Sequence, residues 1–302
     1  MYKNFELTLS TGKLMRGCKW EIQRPTAQIV IVTGMTEASY RYDEFASFLN
    51  ENGYSVYCLD HYGQGLNCKT EEELGIWPRD GFTKTINFVN EEVQYVRSLN
   101  KDIPLYIFGH SMGSFVTQEY IQRFGNTIDK AGICGSCGPN PLTGMGCLMA
   151  SLRGKGKNHD TRRDKTLDKL MFGTYNKKIK DPKTPFDWLS TNEESNKKYI
   201  EDFRCGYICT SGFYAEFMTG LNRIHKTKNL KQVRKDLPLL LIAGQDDPVG
   251  MYGKGVEKLL KCYQKQNIKD VKMILYKDMR HEILNEIDRK KVFNDVLKFF
   301  KK

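Results

Sequence analysis

Short apolar runs rich in β-branched residues alternate with amphipathic stretches along most of this chain. The apolar runs are typical of strands buried on both faces of a sheet, and they lie at 28–32, 54–59, 104–108, 130–134, 238–243 and 271–276. Apolar positions at helical spacing predict helices at 42–50, 82–99, 115–124, 251–266 and 288–300. An alternating pair of segments, 5–9 and 14–22, predicts an N-terminal hairpin. The succession of strand, helix and strand predicts an α/β fold with a mostly parallel central sheet and helices on both faces.

The alternation stops between residues 138 and 232, a segment that lacks buried-strand patterns and is rich in lysine, glycine and aromatic residues. We therefore predict an inserted, mainly helical cap at 138–232 on a core made of 1–137 and 233–302. An insertion that follows a parallel strand leaves the sheet at the carboxyl ends of the strands, which is where α/β proteins place their ligands.

The charge of the chain is uneven. It has 302 residues and a formal net charge of +11, and residues 151–236 hold most of that excess, with 20 lysines and arginines against 11 aspartates and glutamates. Such a segment predicts peripheral contact with an anionic membrane surface, although a role in solubility is the alternative. No nucleic-acid-binding module accompanies it, so we predict no nucleic-acid partner.

Nine cysteines occur without regular spacing. The close pairs Cys134/Cys137 and Cys205/Cys209 offer a zinc-binding alternative, but buried cysteine is commonly a small apolar side chain. The N-terminus has no apolar signal region, and no run approaches the length of a membrane span. These features predict a soluble cytoplasmic protein with no metal or other cofactor.

A Gly-x-Ser-x-Gly motif, Gly109 to Gly113, stands between the predicted strand at 104–108 and the helix at 115–124. A serine hydroxyl becomes an effective nucleophile when a sharp strand-to-helix turn holds it in the open, and glycines permit the crowding of that turn. The motif in this context predicts Ser111 as a catalytic nucleophile.

A serine nucleophile needs a histidine base and a carboxylate that orients it. In chain order these partners follow the serine on loops after later strands. Of the five histidines, His281 is the one in such a loop. Two carboxylates, Asp246 and Asp247, follow the strand at 238–243, and we predict Asp247 because the proline after it favours an extended backbone.

Backbone amides must stabilise the oxyanion of an acyl-transfer reaction. The N–H of Met112 begins the helix after Ser111 and is one predicted donor. The second predicted donor is the N–H of Met35, in the loop that follows the strand at 28–32.

These residues together resemble the α/β-hydrolase superfamily and, more narrowly, its monoacylglycerol lipase and lysophospholipase branch, the bacterial type in particular. The matching motifs are Gly109-His110-Ser111-Met112-Gly113-Ser114, Gly34-Met35-x-Glu37-x3-Arg41-Tyr42, Asp60-His61-x-Gly63-x-Gly65, Gly244-x2-Asp247-Pro248-Val249-Gly250, Phe172-Gly173-x-Tyr175-Asn176 and Thr184-Pro185-Phe186-Asp187-Trp188-Leu189. The last two motifs look like the lid of lysophospholipase-type members. One departure is Thr33, which stands where the family usually has histidine.

The resemblance implies a serine hydrolase that cleaves carboxylic esters of monoacyl lipids through an acyl-enzyme. The aromatic residues Phe213, Phe217 and Trp188 of the insertion are candidates for binding the substrate. Two alternatives stay open. One is an aminopeptidase of the same superfamily, in which Glu37 or a carboxylate of the insertion would hold a free amine, and the other is a non-catalytic binding protein on this fold.

Overall fold

The computed structural model describes residues 2–301 and contains one mixed sheet of eight strands in the order β1-β2-β4-β3-β5-β6-β7-β8. Pairing is antiparallel from β1 to β2 and from β2 to β4, and parallel elsewhere. The strands are β1 Lys3–Thr8, β2 Leu14–Trp20, β3 Ala27–Val32, β4 Tyr54–Leu59, β5 Leu105–His110, β6 Lys130–Cys134, β7 Leu239–Gly244 and β8 Val271–Tyr276. Every residue of β3, β4, β5 and β7 is buried, as their continuous apolar runs predict.

Helices cover both faces of the sheet. The core helices are α1 Asp43–Glu51, α2 Gly81–Leu99, α3 Met112–Phe124, α10 Lys254–Lys265 and α11 Arg289–Lys301. One apolar cluster joins the sheet to α2, α3 and α10, and a second joins its other face to α1 and α11. The two clusters account for the amphipathic patterns of these helices, because each helix turns its apolar stripe toward the sheet.

The helix predicted from residue 251 begins later, at Lys254. Met251 and Tyr252 have φ angles of 51° and 56°, in the left-handed region that no α-helix contains. These two residues form a turn between the loop that carries Asp247 and the start of α10, and the sequence pattern alone did not reveal it.

The segment predicted as an insertion, residues 138–232, contains the helices α4 Thr143–Arg153, α5 Asn158–Thr161, α6 Lys165–Phe172, α7 Glu193–Glu201, α8 Ser211–Ile224 and α9 Thr227–Leu230, and we call this segment the insertion. Helix α8 packs closely on the core helix α2. A Cβ at Gly220 would lie 2.3 Å from the ring of Phe82. The ring centroids of Phe213 and Trp77 are 4.3 Å apart. The aromatic residues of α8 are therefore shared with the core and do not form a separate core within the insertion.

No helix among residues 2–301 combines the length and the apolar character that crossing a bilayer requires.

Candidate active site

The turn between β5 and α3 holds Ser111 in a strained backbone conformation, with φ 51° and ψ −120°. The glycines on either side are required by close packing. A Cβ at Gly109 would lie 2.3 Å from the carbonyl oxygen of Gly113, and one at Gly113 would lie 2.0 Å from that of Val32. The end of β3 can therefore approach the turn closely, and Ser111 is held at the carboxyl edge of the sheet.

Ser111, His281 and Asp247 form a row of hydrogen bonds. The Nε2 atom of His281 lies 2.8 Å from Oγ of Ser111, and its Nδ1 atom lies 3.0 Å from Oδ1 of Asp247. The same carboxylate oxygen accepts the N–H of Val249 at 2.8 Å, which fixes the carboxylate relative to its own loop. His281 and Asp247 are fully buried, whereas Ser111 is partly exposed. The row has the composition and order of a nucleophile, base and orienting acid.

Asp246 does not take part in this row. Its side chain is exposed, and its backbone N–H donates to the carbonyl of Met279. Between the two aspartates in this loop, the structure brings Asp247 to His281 and turns Asp246 to solvent.

The other four histidines have different partners. His61 bonds to the carbonyl of Thr33, His110 approaches Glu37 and the carbonyl of His281, His159 lies between Asp160 and Glu216, and His225 bonds to Gln118. None of these rings forms a hydrogen bond with Ser111 in the described part of the chain, so His281 is the histidine in position to act as its base.

The loop after β3 approaches the turn of Ser111. A Cβ at Gly34 would lie 3.2 Å from Cβ of Ser111, so the chain can pass here only with glycine or with a shift of its neighbours. Met35 and Met112 both line a cavity together with Ser111. Within residues 2–301, neither of their N–H groups has a hydrogen-bond acceptor, so both groups remain available as donors.

A buried ionic network lies behind the site. The guanidinium of Arg41 donates two hydrogen bonds to Glu282, at 2.8 and 2.7 Å, and one to Glu37, at 2.9 Å. Glu37 also accepts the backbone N–H of Gly34 and the hydroxyl of Tyr42. The network thus joins the loop of Met35 to the loop of His281, because Gly34 precedes Met35 and Glu282 follows His281.

Charges within this network are stabilised against burial. Burial would raise the pKa of Glu37, but His110, Arg41 and Tyr42 outweigh it and hold that pKa below its usual range. Burial likewise opposes the charge of Glu282, and Arg41 lowers its pKa. Burial would lower the pKa of His110, but the hydrogen bond and charge of Glu37 raise it. Both carboxylates are therefore committed to cations of the chain itself.

Thr33 is fully buried, and its Oγ1 atom has no partner among the described residues. Its carbonyl accepts from Nε2 of His61 at 3.1 Å. The loop is held by other contacts, since Gln64 bonds to the carbonyl of Gly34 and the N–H of Thr36. The threonine that replaces the usual histidine of the family leaves this loop anchored through Glu37 and Gln64.

Two cavities meet at Ser111. The larger, of about 350 Å³, is mainly apolar and extends between α3 and helices α4, α6 and α8 of the insertion. The smaller, of about 250 Å³, is lined by His281 and by Trp188, Tyr199 and Tyr207 of the insertion. The arrangement gives Ser111 one apolar compartment and one compartment of mixed character.

The three aromatic residues proposed from the sequence for substrate binding occupy different places. Phe217 lines the larger cavity, and Trp188 lines the smaller one with its ring centroid 5.1 Å from that of His281. Phe213 lines neither cavity. It is fully buried against Trp77. The expectation that Phe213 binds the substrate is therefore corrected, because its side chain packs between α8 and the core.

Sequence reasoning missed several residues that line the larger cavity, among them Met145 and Met149 of α4. An amphipathic pattern within the insertion could have identified α4 as a helix, but not the direction in which it faces. The pairing of Arg41 with Glu282, 241 positions apart, left no local signal.

The cysteines do not form a metal site. Within residues 2–301 no group of three or more histidine, cysteine, aspartate or glutamate side chains comes together in a way that could hold a metal ion. All nine cysteines are free thiols, and Cys137 contributes to the wall of the larger cavity.

Comparison with known proteins gives consistent results. A phospholipase of Bacillus subtilis, YtpA, is 30% identical over 104 residues, which cover 34% of this chain and 38% of that protein. The monoglyceride lipase of Saccharomyces cerevisiae is 25% identical over an alignment of 313 positions, which covers 98% of this chain and 89% of that protein. The crystal structure of a thermostable carboxyl esterase from Bacillus coagulans in complex with glycerol superposes with a TM-score of 0.91 at 26% identity, covering 99% of this chain and 98% of that one.

These matches confirm the predicted α/β-hydrolase fold and the resemblance to the monoacylglycerol lipase and lysophospholipase branch. The Hydrolase_4 family model, described as serine aminopeptidase S33, matches residues 23–288. Since that match covers most of the sequence and includes Ser111, Asp247 and His281, the chain belongs to this family of hydrolases.

Proposed function

We propose that this protein hydrolyses carboxylic esters of monoacyl lipids, such as monoacylglycerols or lysophospholipids, through an acyl-enzyme on Ser111. The observation that carries the proposal is the hydrogen-bonded row of Ser111, His281 and Asp247 at the edge of an apolar cavity of about 350 Å³. An ester that places its acyl chain in this cavity presents its carbonyl carbon to Ser111.

In the proposed reaction Oγ of Ser111 attacks the ester carbonyl while Nε2 of His281 accepts its proton. The N–H groups of Met35 and Met112 stabilise the resulting oxyanion, and Asp247 stabilises the protonated ring of His281. His281 then donates the proton to the departing alcohol, which leaves Ser111 acylated. Water hydrolyses the acyl-enzyme by the same steps, and the fatty acid is released.

The compartments at Ser111 support a monoacyl substrate. Leucine, methionine and phenylalanine side chains of the larger cavity favour an alkyl chain, since each CH₂ buried contributes ~0.8 kcal/mol and methionine adapts its shape to the chain. The smaller cavity, with Trp188 and Tyr199 in its wall, has the mixed character that suits a polar alcohol. Among its relatives, the chain is similar to proteins named as a phospholipase, a monoglyceride lipase and a carboxyl esterase.

An aminopeptidase is the second candidate, favoured by the description of the matching family. It requires a carboxylate that is available to the amine of the substrate. Glu37, Glu282 and Asp168 line the smaller cavity. The two glutamates are paired with Arg41, and Asp168 accepts the hydroxyl of Tyr214 while burial raises its pKa. An ester substrate is therefore favoured over a peptide with a free N-terminus, because the glutamates are already paired and burial disfavours the charged form of Asp168.

The test is an activity panel of p-nitrophenyl esters, monoacylglycerols, lysophospholipids and aminoacyl p-nitroanilides. We expect hydrolysis of the esters and labelling by a fluorophosphonate probe, both of which disappear in Ser111→Ala. Labelling that survives this substitution would disprove the assignment of the nucleophile. Faster turnover of the anilides than of every ester would favour the aminopeptidase.

Asp247→Asn and Asp246→Asn form a matched pair for the acid. Loss of the orienting carboxylate costs about 10⁴ in turnover, because the histidine then takes the wrong tautomer. We expect that loss in Asp247→Asn and near wild-type turnover in Asp246→Asn, whose side chain is exposed. Similar kcat values in the two folded variants would contradict the proposed role of Asp247.

We also propose that the insertion contacts a lipid surface. Eleven large apolar side chains are exposed within residues 2–301, and six of them lie on or next to α4 and on α6: Leu142, Met145, Leu148, Met149, Leu152 and Leu170. Four of these six, Leu142, Met145, Met149 and Leu170, also line the larger cavity. A contiguous exposed apolar surface that leads into an acyl cavity is suited to a substrate that resides in a membrane.

A further inference from the structure

Thr36, the residue after Met35, has a left-handed backbone with φ 53°. For a β-branched residue this conformation is a genuine outlier, and it persists only where surrounding contacts enforce it. The N–H of Met35 belongs to the peptide between Gly34 and Met35, one residue before Thr36, so the backbone angles of Thr36 set the direction in which the loop leaves Met35. The contacts that hold Thr36 therefore bear on where the Met35 amide lies.

One set of contacts comes from the core. The side chain of Gln64 accepts the N–H of Thr36 at 3.1 Å and donates to the carbonyl of Gly34 at 3.0 Å. Glu37 accepts the N–H of Gly34. Contacts with the core thus hold the N–H and the carbonyl of Gly34 and the N–H of Thr36, all of which precede the carbonyl of Thr36.

The second set comes from the insertion. The carbonyl of Thr36 accepts hydrogen bonds from the hydroxyl of Tyr199 and from the N–H of Gly206, both at 3.1 Å. The hydroxyl of Tyr199 also lies 3.0 Å from Oγ1 of Thr36. The Tyr199 ring is buried, with its centroid 4.7 Å from the guanidinium of Arg41 and 5.2 Å from the centroid of the Phe186 ring. Its hydroxyl is therefore held in place by the packing of the ring.

Gly206 reaches Thr36 only because it is glycine. Its φ is 66°, and a Cβ would lie 2.8 Å from the ring of Phe186 and 3.0 Å from that of Tyr199. Both donors to the carbonyl of Thr36 consequently belong to one tightly packed part of the insertion.

We propose that Tyr199, together with the backbone of Gly206, holds Thr36 in its left-handed conformation and thereby positions the Met35 amide as an oxyanion donor. Tyr199 is thus a positioning residue, and the insertion completes the oxyanion site in addition to covering it. This inference rests on the proposed function, since an oxyanion forms only if Ser111 attacks a carbonyl.

Tyr199→Phe is the test variant, because it removes the hydroxyl and leaves the ring between Arg41 and Phe186. Tyr40→Phe is the matched control. The hydroxyl of Tyr40 donates to Asp202, so its loss removes one tyrosine contact between the core and the end of α7 without touching the loop of Met35. Each variant is assayed for kcat and KM on a short p-nitrophenyl ester and for the thermal midpoint of unfolding. Inhibition by an alkyl trifluoromethyl ketone is measured as well, because its adduct with Ser111 presents a tetrahedral oxyanion.

We expect kcat of Tyr199→Phe to fall by about tenfold, below the ~10²–10³ that loss of a whole oxyanion donor costs. The affinity for the trifluoromethyl ketone should fall in parallel, while KM and the midpoint change little. Tyr40→Phe should retain wild-type kcat and ketone affinity. Unchanged kcat and ketone affinity in Tyr199→Phe, or equal losses in Tyr40→Phe, would overturn the inference.

Thr36→Gly provides a second, independent measurement. Glycine takes positive φ without steric cost, so the loop no longer depends on the hydroxyl to keep this conformation. Adding Tyr199→Phe to Thr36→Gly should therefore cost less in kcat than adding it to the wild type, and an equal cost would overturn the inference. A wild-type protein without esterase activity, or with activity that survives Ser111→Ala, would instead overturn the proposed function and this inference with it.

Discussion

Two carboxylic acids in the core, Asp60 and Glu92, are fully buried and form no ion pair with another described residue. Asp60 accepts hydrogen bonds from Ser39 and the N–H of Leu66, yet burial outweighs them and raises its pKa to about 7. Glu92, on α2, accepts the N–H of Leu59 at 3.0 Å. Burial outweighs this single bond and raises the pKa of Glu92 to about 8. The stability of the folded chain should therefore depend on pH through these residues.

We expect Glu92→Gln to stabilise the protein at alkaline pH. Protonated Glu92 contributes stability that is fully present below its ordinary pKa of 4.5 and is lost as pH rises through about 8. Glutamine resembles the protonated acid and stays neutral at every pH. The difference in free energy of unfolding between the variant and the wild type should be small near pH 4.5. It should grow to a few kcal/mol above pH 8, because each unit by which the pKa is raised corresponds to about 1.4 kcal/mol.

Urea unfolding across this pH range measures the difference directly. Glu51→Gln, an exposed carboxylate at the end of α1, makes the same change of charge at the surface and serves as the control. A difference between Glu92→Gln and the wild type that stays constant with pH would rule out Glu92 as a source of the pH dependence.

At the scale of elements, helix α8 connects the packing of the core to the shape of the larger cavity. Phe217 lines that cavity, and its ring centroid lies 6.0 Å from that of Phe115. Phe213, one turn earlier, packs on Trp77 with the two ring centroids 4.3 Å apart. The helix therefore offers a pair of phenylalanines that differ in what they contact while sharing one element.

Replacement of this pair separates cavity shape from packing. Phe217→Ala should raise kcat/KM for esters of longer acyl chains relative to an acetate ester, by about fourfold for each further CH₂ that becomes buried, since each contributes ~0.8 kcal/mol. Phe213→Ala should lower stability by ~3–5 kcal/mol, as large core truncations do, and leave the chain-length profile as it is. Matching profiles of the two folded variants would argue against a cavity role for Phe217.

At the scale of the whole molecule, positive charge and apolar surface occur in the same region. The apolar stripe of α4 is followed directly by the exposed lysines Lys155 and Lys157. Basic side chains near an anionic membrane contribute about 1 kcal/mol each, and leucines that enter the interface add the hydrophobic term. The combination favours binding to vesicles that contain anionic lipid, and this binding should weaken as salt rises.

Leu148→Ser combined with Leu152→Ser tests this surface without altering the cavity. Leu148 is 62% exposed and Leu152 55%, and neither lines the larger cavity. Vesicle affinity in a sedimentation assay should fall about tenfold or more, since a buried leucine contributes ~1.5–3 kcal/mol. Leu99→Ser, an exposed leucine at the end of α2, is the control. Equal affinity of both variants and the wild type would exclude α4 as the contact surface.

The strands and the position of Ser111 were predictable because burial on both faces leaves continuous apolar runs and because the turn of Ser111 needs glycine at fixed offsets. The order of elements predicted that the loops after β7 and β8 hold the acid and His281, and the proline after Asp247 favoured that residue over Asp246. Contacts between distant segments could not. The pairing of Arg41 with Glu282 and the contact of Tyr199 with Thr36 depend on tertiary packing, which no local pattern encodes. The orientation of Phe213 was misjudged for the same reason, since an aromatic residue on a helix does not reveal which neighbour it meets.

The two compartments at Ser111 have a kinetic consequence. In the proposed reaction, once the alcohol has left, the acyl group on Ser111 keeps the larger cavity filled, while the smaller cavity, which is lined by His281, becomes free for the next acceptor. Water and alcohols then compete for the same acyl-enzyme through the same histidine. With glycerol or a short alcohol in excess, we expect ping-pong kinetics in which part of each acyl group is transferred to the alcohol as a new ester. The ratio of ester to free fatty acid would report how well the smaller compartment retains an alcohol.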